Sequence, residues 1–239
     1  MPNYFIHPDS IQGHSAYFNS EESHHISRVK RHRVDDEICA VDGLGATYQI
    51  TITKIREQQV TGVISEKKDG CGEPTIRLTL AQSMPKGRKL DWVIEKGTEL
   101  GVAAFFPFIS ERSISRPIDV NSKVKRWEKI GLTAMKQCGR SVCPVVHPLC
   151  NFSELAAQFD RFDRKFFANP DTNSPLPVLD HTSQSILLIV GPEGGLTSSE
   201  LDRIRQSNAE SFSMGSRILR TETAGMVATA LIMHETGNL

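Results

Sequence analysis

A glycine-rich turn in the last quarter of the chain has the residue types of a ligand-binding loop. An apolar, largely β-branched run at 186–190 leads directly into the segment from Gly191 to Gly195. Glycines at the carboxyl end of a parallel strand let the backbone approach a ligand closely and leave N–H groups free to bind it. The turn has neither the lysine nor the hydroxyl residue of a triphosphate-binding loop, which argues against nucleoside triphosphate chemistry. A strand-to-helix turn without a ligand is the alternative interpretation.

A second segment of this kind runs from Met214 to Ala224. It follows a short predicted strand, opens a predicted helix and contains Arg217, Arg220 and Glu222. The N–H groups at the start of a helix favour negative charge, so the segment has the features of an anion-binding position. A capped helix with a surface ion pair is the alternative interpretation.

Arginines at the ends of predicted elements form a third set. Arg112 directly follows a strand and Arg140 directly follows a helix, positions that suit contacts with phosphate or with a base carbonyl. The surrounding span 84–140 carries twelve Lys and Arg against six Asp and Glu, although the net charge of the whole chain is zero. This asymmetry indicates either a polyanionic partner that touches one face or a solvated helix surface.

The elements that position these motifs divide at a linker over residues 69–74, which is rich in Gly and ends in Pro. Short strands with glycine turns predict a small β-barrel over 1–72. Alternating strands and helices predict an α/β domain with a mainly parallel sheet over 75–239. The predicted strands lie at 37–41, 46–56, 59–65, 75–82, 103–109, 144–149, 165–168, 186–190 and 211–214. The predicted helices lie at 91–100, 123–138, 152–159 and 223–234, with a further helix opened by Thr197.

Two helix starts carry capping signals. Asp91 is expected to be the N-cap of the helix at 91–100. Thr197 and Glu200 have the spacing of a capping box, in which each side chain accepts a hydrogen bond from the other residue's backbone. Both predictions depend only on local sequence.

Composition excludes several classes of protein. A hydrophobic content of 38% with 23% charged residues is typical of a globular domain and not of a disordered chain. No apolar run approaches the roughly 18 residues that a membrane span needs, and the N-terminus has no signal-peptide pattern. A cytoplasmic location is therefore expected. Five scattered cysteines favour neither a disulfide framework nor a zinc site, and no metal is expected.

Together, the motifs resemble the ribosomal RNA small subunit methyltransferase E family, part of the SPOUT superfamily. The segments that carry the resemblance occur in the family's order: His24 to Arg31, Leu80 to Val102, Arg112 with Ser113, Gln137 to Arg140, Gly191 to Gly195, and Arg217 to Ala224. Three departures stand out. Arg33 to Asp36 replaces a small glycine, and Gly97 and Gly225 replace larger residues inside predicted helices. Each helix glycine is expected to cost about 1 kcal/mol relative to Ala.

The resemblance implies a fold, a cofactor and a substrate. The fold is a SPOUT-type, mainly parallel α/β sheet with a C-terminal trefoil knot, preceded by a PUA-like β-barrel that binds RNA. The cofactor is S-adenosyl-L-methionine, which binds bent between the two glycine-bearing segments near the interface of a homodimer. The product is N3-methyluridine in 16S rRNA of the small ribosomal subunit. Two other interpretations stay open: a knotted methyltransferase for another rRNA or tRNA nucleotide, and a non-catalytic RNA-binding assembly factor.

Specific residues are assigned to this site. Because uracil N3 is protonated, the reaction needs a base or a cation that stabilises developing charge, and the candidate catalytic residues are Glu193, Arg220 and Glu222. The sequence does not decide which carboxylate is the base. The candidate cofactor-binding residues are Val190, Gly191, Gly194, Gly195, Leu196, Met214, Gly215, Leu219, Arg220 and Ala224. The candidate RNA contacts are Arg28, Arg31, Arg112 and Arg140.

Overall fold

The computed structural model describes residues 3–56, 59–114, 120–179 and 185–239. The chain divides into two compact units, Met1–Glu73 with Leu132–Cys143 and Pro74–Gly131 with Pro144–Leu239. The first division falls inside the linker recognised at 69–74. The membership of 132–143 in the first unit has no local signal, because the helical pattern of the sequence continues through residue 131 without a break.

A six-stranded mixed sheet forms the first unit. Its strands are β1 (Tyr4–Phe5), β2 (Ile11–Gln12), β3 (Ser15–Tyr17), β4 (Glu37–Val41), β5 (Ala46–Arg56) and β6 (Gln59–Asp69). The order is β1-β4-β5-β6-β3-β2, in which β1 pairs with β4 in parallel and all other neighbours are antiparallel. Alternation along β5 buries Tyr48, Ile50 and Ile52 in one core, as a half-buried strand requires. The helix α1 (Ser20–His24) continues into a π-helical turn at His25–Val29.

The segment 132–143 is held to the first unit by polar contacts. Lys136 Nζ forms an ion pair with Glu22 Oε1, and the carbonyl of Lys136 accepts a hydrogen bond from the N–H of Asn3 at 2.8 Å. Farther along, the N–H of Cys143 donates to the carbonyl of Gly43 at 2.9 Å. These partners lie more than ninety positions away in sequence, which is why sequence patterns do not reveal them.

A seven-stranded sheet forms the second unit. Its strands are β7 (Arg77–Ser83), β8 (Ala104–Ile109), β9 (Val145–Val146), β10 (Cys150–Asn151), β11 (Arg164–Ala168), β12 (Ser185–Val190) and β13 (Glu210–Phe212). The order is β10-β8-β7-β12-β11-β13, and β9 also pairs with β8. Every pairing among the described strands is parallel, so the predicted mainly parallel α/β sheet is confirmed. The predicted strand at 144–149 is reduced to β9, since Pro144 and Pro148 flank it and cannot donate to a ladder.

Helices cover both faces of this sheet. They are α2 (Lys89–Glu99), α3 (Val120–Cys138), α4 (Phe152–Ala156), α5 (Ser198–Gln206) and α6 (Thr221–Glu235), of which α3 extends into the first unit. Strand β12 directs Ile186 and Leu188 to a core shared with α2 and α6. It directs Leu187 and Ile189 to a second core shared with α4 and α5. This two-sided burial explains why the run has no polar residue. None of the described helices is both long and apolar enough to cross a membrane.

Strand β12 lies between β7 and β11, both of which precede it in the chain. Strand β12 therefore enters the sheet between two earlier strands, whereas β13 joins it at the edge. The trefoil knot implied by the family resemblance stays a prediction.

The predicted N-cap at Asp91 is wrong. Helix α2 begins at Lys89, Arg88 occupies the N-cap position, and no side chain caps the helix. Asp91 instead accepts a hydrogen bond from Trp127 Nε1 at 3.1 Å and pairs with Arg126. The indole of Trp127 is almost completely buried, and a buried indole N–H needs an acceptor. The Asp91 carboxylate therefore binds residues distant in sequence and does not cap the helix, as local sequence had predicted.

The two helix glycines also have a different role from the one expected. A Cβ at Gly97 of α2 would come within 2.7 Å of the ring of Phe105, and a Cβ at Gly225 of α6 would overlap Gln82 Oε1. Alanine at either position would overpack a buried contact instead of gaining helix propensity. Close packing of each helix on the sheet requires these glycines.

Candidate functional site

The candidate site lies at the carboxyl edge of the parallel sheet. The first glycine loop (residues 191–196) follows β12, and the second glycine loop (residues 213–220) follows β13. The turn at 110–113 follows β8, and Gln82 and Ser83 end β7. Because parallel strands end at one edge, their carboxyl-terminal residues meet there.

A buried threonine joins the two loops. Thr221, the first residue of α6, directly follows the second glycine loop, and its Oγ1 donates to the carbonyl of Gly191 at 2.6 Å. Gln82 Nε2 donates to the same Oγ1 at 2.8 Å. Thr221 and Gln82 are both buried, so the hydrogen bond between them is shielded from water. The two glycine-bearing segments therefore come together, as the sequence predicts.

The first glycine loop is fastened on several sides. Its turn closes with the N–H of Gly195, at φ +71°, donating to the carbonyl of Pro192 at 2.9 Å. Arg112 Nη1 lies 3.4 Å from the carbonyl oxygen of Gly194 and 3.5 Å from that of Leu196, distances typical of weak hydrogen bonds. The side chain of Leu196 is buried beneath the loop.

The helix after the first glycine loop has the predicted capping box. Thr197 Oγ1 accepts from the N–H of Glu200, and Glu200 Oε2 accepts from the N–H of Thr197 at 2.8 Å. The other oxygen of Glu200 accepts from the N–H of Glu111 at 3.0 Å. The capping residue thus ties the 110–113 turn to the start of α5. In that turn, the Ser113 hydroxyl lies 3.0 Å from the hydroxyl of Ser83.

The second glycine loop is open to solvent along most of its length. Residues 215–218 are exposed, including 88% of Ile218. Gly215 has φ +101°, and a Cβ there would meet no atom within 4 Å. The loop is anchored where it begins, since the N–H of Ser213 donates to the carbonyl of Ser174 at 2.8 Å and Met214 packs against the core.

Glu222 forms an ion pair beside the two loops. Lys89 Nζ lies 2.8 Å from Glu222 Oε1, and only 11% of the Glu222 side chain is exposed. Burial by itself raises the pKa of the Glu222 carboxyl, but the hydrogen bond and the charge of Lys89, with a contribution from Arg220, hold that pKa below its usual value. Its Oε2 is buried without a hydrogen-bond partner within the described part of the chain. Glu222 is thus a carboxylate of low basicity with one unused acceptor.

The other two predicted catalytic residues lie on the surface. Glu193 is exposed at the tip of the first glycine loop, and Arg220 is exposed in the N-cap position of α6. Neither residue has an ion-pair partner within the described residues. The positive charge of Arg220 does, however, contribute to lowering the pKa of Glu222. Both side chains are therefore accessible to a substrate, whereas the Glu222 side chain is almost buried.

Comparison with known proteins gives a consistent family. Residues 72–233 match a family model described as an RNA methyltransferase domain, and residues 18–65 match an RNA methyltransferase PUA domain. The chain is 33% identical to the ribosomal RNA small subunit methyltransferase E of Bacillus subtilis (strain 168), over 99% of this chain and 97% of that one. It is 28% identical to the same-named protein of Buchnera aphidicola, over 97% and 92%.

The chain belongs to the ribosomal RNA small subunit methyltransferase E family. Two solved structures are similar to it over almost their full length. A family member from Neisseria gonorrhoeae bound to S-adenosyl methionine has a TM-score of 0.85 and 29% identity, covering 98% of this chain and 97% of that one. A methyltransferase from Legionella pneumophila in complex with the bound cofactor SAM has a TM-score of 0.85 and 26% identity, covering 98% of each.

Three site residues of this family member were not identified from sequence. Gln82, Lys89 and Thr221 all lie in segments that carry the family resemblance, yet none has a role until the loops are brought together. Gln82 offered one signal, because it is a polar residue near the end of a strand that is buried at almost every position. Lys89 and Thr221 offered none, since lysine and threonine are common in the first turn of a helix.

The four candidate RNA contacts of the family have different environments. Arg28 and Arg31 are exposed on the first unit, next to the exposed Lys30. Arg112 is exposed but lies against the carbonyls of the first glycine loop. Arg140 differs from the prediction, because its guanidinium is buried and donates to Glu73 Oε2 at 2.8 Å. A side chain with 3% exposure cannot reach a phosphate, so Arg140 has a structural role within the first unit.

Proposed function

We propose that this protein methylates N3 of a uridine in 16S rRNA of the small ribosomal subunit, using S-adenosyl-L-methionine and working as a homodimer in the cytoplasm. One observation carries the proposal: the Thr221 hydroxyl holds the two glycine loops together at the carboxyl edge of the sheet. Related chains of nearly the same length bind the cofactor and are named for the small-subunit RNA substrate.

The residues around the loops fit this cofactor. At Gly195 and Gly215 a Cβ would meet no atom within 4 Å, so the backbone on that side is open to a ligand. The unpartnered Oε2 of Glu222 suits a positively charged ligand, and the cofactor carries both an ammonium and a sulfonium group. The residues proposed to hold it are Val190, Gly191, Gly194, Gly195, Leu196, Met214, Gly215, Leu219, Arg220 and Ala224.

The cofactor supplies a methyl group on a sulfonium, so no metal or covalent protein intermediate is needed. The protein accelerates the transfer mainly by fixing the acceptor in line with that methyl group. We assign Glu193 as the base that removes the N3 proton, because it is exposed at the loop tip. Arg220 would stabilise the negative charge that develops on the uracil carbonyl oxygens. Glu222, held as a carboxylate by Lys89, would bind cofactor and not remove a proton.

RNA recognition is assigned to the exposed arginines. Arg28 and Arg31 in the first unit would contact phosphates, and Arg112 would do so beside the first glycine loop, which makes binding dependent on salt. A paired or stacked target base must leave its stack before it can reach the loops. Arg140 is not included, because its ion pair with Glu73 is buried.

Mass spectrometry of rRNA from a strain lacking the protein tests the proposed function. We expect one N3-methyluridine to be missing from 16S rRNA and to return when the wild-type protein is supplied. Purified 30S subunits from that strain should then accept labelled methyl groups, and Glu193→Ala and Arg220→Ala should each lower turnover. Arg205→Ala is the matched control, because Arg205 is exposed and pairs only with the neighbouring Asp202 among described residues.

Three results would contradict parts of this proposal. If 16S rRNA kept all its methyl groups and another RNA lacked one, that other RNA would be the substrate instead. Failure of the purified protein to bind S-adenosyl-L-methionine in calorimetry would favour a non-catalytic RNA-binding role. Wild-type turnover in both variants would remove the assignments of Glu193 and Arg220.

A further inference from the structure

A cavity lies in the second unit at the amino edge of the parallel sheet, opposite the candidate site. It has a volume of about 320 Å³, and its lining includes Arg77 and Thr79 near the start of β7 and Ala104 and Phe106 of β8. Arg77 is six residues from Ser83, the end of β7, which corresponds to roughly 20 Å of strand. The cavity is therefore distinct from the candidate site at the glycine loops.

Two arginines give this cavity a positive charge. Arg77 and Arg161 are both exposed and both line it, and none of the described lining residues is Asp or Glu. Arg161 Nη1 donates to Gln158 Oε1 at 2.9 Å, which fixes one edge of its guanidinium. The nearby carboxylate of Asp163 accepts hydrogen bonds from the N–H and hydroxyl of Ser185, at 2.8 and 2.9 Å. Planar guanidinium groups in such a setting are suited to phosphate oxygens.

A flat pair of rings forms another part of the lining. The rings of Phe106 and His147 are stacked, with centroids 3.8 Å apart and planes inclined by 1°. Burial, assisted by the positive charge of Arg161, lowers the pKa of His147. The imidazole is therefore uncharged at neutral pH. Flat rings beside cationic groups are what proteins use to bind unstacked nucleotides.

We propose that this cavity binds one unpaired nucleotide of the RNA substrate, with its phosphate at Arg77 and Arg161 and its base against the rings of Phe106 and His147. The proposal rests on the proposed function only in taking RNA as the substrate. It adds an RNA contact distant from the reacting base, so that a folded RNA would be held at both edges of the sheet. No polar group of the glycine loops takes part.

The test measures binding of protein-free 16S rRNA by the full-length protein across a range of salt concentrations. Each lost phosphate contact lowers the slope of log affinity against log salt by about one. Because both arginines contact the same phosphate, Arg77→Ala with Arg161→Ala should reduce that slope by about one and weaken binding at low salt by roughly tenfold. The single variant Arg205→Ala, compared with Arg77→Ala alone, controls for the loss of one positive charge.

A second variant examines the rings separately. Phe106→Leu keeps an apolar side chain and should weaken RNA binding without changing the salt slope, because stacking involves no counterion release. Unchanged affinity for S-adenosyl-L-methionine would show that each variant is folded. Equal slopes for the double arginine variant, Arg205→Ala and wild type would overturn the proposal, even if wild type methylates 30S subunits normally. Weakened binding to 30S subunits but not to free rRNA would assign the cavity to a ribosomal protein and would also overturn it.

Discussion

The two glycine loops are similar in sequence context but differ in how the fold holds them. The first loop is tied to Thr221 and Arg112 by hydrogen bonds and rests on the buried Leu196. The second loop is anchored at Ser213 but is exposed from 215 to 218. One loop is thus rigid before any ligand binds, whereas the other has few contacts that fix its middle.

This difference indicates how the site would be completed. A preorganised loop lowers the cost of binding, because its backbone is already ordered. A ligand or a second protomer that covers the second loop would stabilise it more, because its isoleucine is almost fully exposed. The fixed half would then set the position of the cofactor, and the exposed half would close on it. The following predictions test that contrast.

The largest effect is expected where the two loops are joined. Thr221→Val removes the hydroxyl that donates to the Gly191 carbonyl and accepts from Gln82. The Gly191 carbonyl and Gln82 Nε2 would each lose one hydrogen bond, so the free energy of unfolding should fall by about 3 kcal/mol. Urea unfolding measures this loss, and calorimetry should show weaker binding of S-adenosyl-L-methionine. Thr221→Ser keeps the hydroxyl and should therefore retain most of the stability and most of the affinity for the cofactor. Equal stability of Thr221→Val and Thr221→Ser would contradict the bridging role.

A somewhat smaller effect is expected one turn into α6. Gly225→Ala would push its Cβ into Gln82 Oε1 and so disturb the donor that supports Thr221. Overpacking of this kind should lower the free energy of unfolding by about 2 kcal/mol. Ala230→Gly, at a half-buried position of the same helix, serves as the control for helix propensity. If Gly225→Ala stabilised the protein, as helix propensity predicts, the packing argument would fail.

The two loops themselves should respond unequally to alanine. Gly195 and Gly215 both have positive φ values, +71° and +101°, where a Cβ costs about 1 kcal/mol. We expect Gly195→Ala to lower the free energy of unfolding by this full amount, because hydrogen bonds hold the first loop in place. Gly215→Ala should cost less, because the exposed loop can relax. Thermal unfolding of both variants side by side measures the difference, and an equal or reversed order would show that the second loop is as rigid as the first.

The smallest effect concerns acid stability. The pKa of Glu222 is below its usual value in the folded protein, so at low pH the unfolded chain binds more protons at this residue than the folded chain does. Its contribution to stability is therefore present above the unfolded pKa of about 4.3 and is lost as the pH falls through the folded pKa. Unfolding free energies from pH 7 to 3 should fall less steeply in Glu222→Gln than in wild type. Parallel curves would show that the Lys89 pair does not shift this carboxyl.

Much of the fold follows from local sequence patterns, and the predictions that failed have a common cause. The bounds of β4 and β5 match the predicted strands, and the Thr197 and Glu200 capping box is as predicted, since each depends on neighbouring residues. The N-cap at Asp91 failed because Trp127, 36 positions away, binds its carboxylate. Arg140, predicted to contact RNA, is instead buried against Glu73, 67 positions away.

The sequence by itself determined the alternation of strands and helices, the two glycine segments, and through their order the family. Tertiary structure alone decided that Thr221 reaches Gly191, that Gln82 supports it across 139 positions, and that Lys89 restrains Glu222. It also decided that helix glycines serve packing. The physical reason is that periodicity and capping arise from contacts within a few residues, whereas a buried hydrogen bond or ion pair depends on where distant strands end.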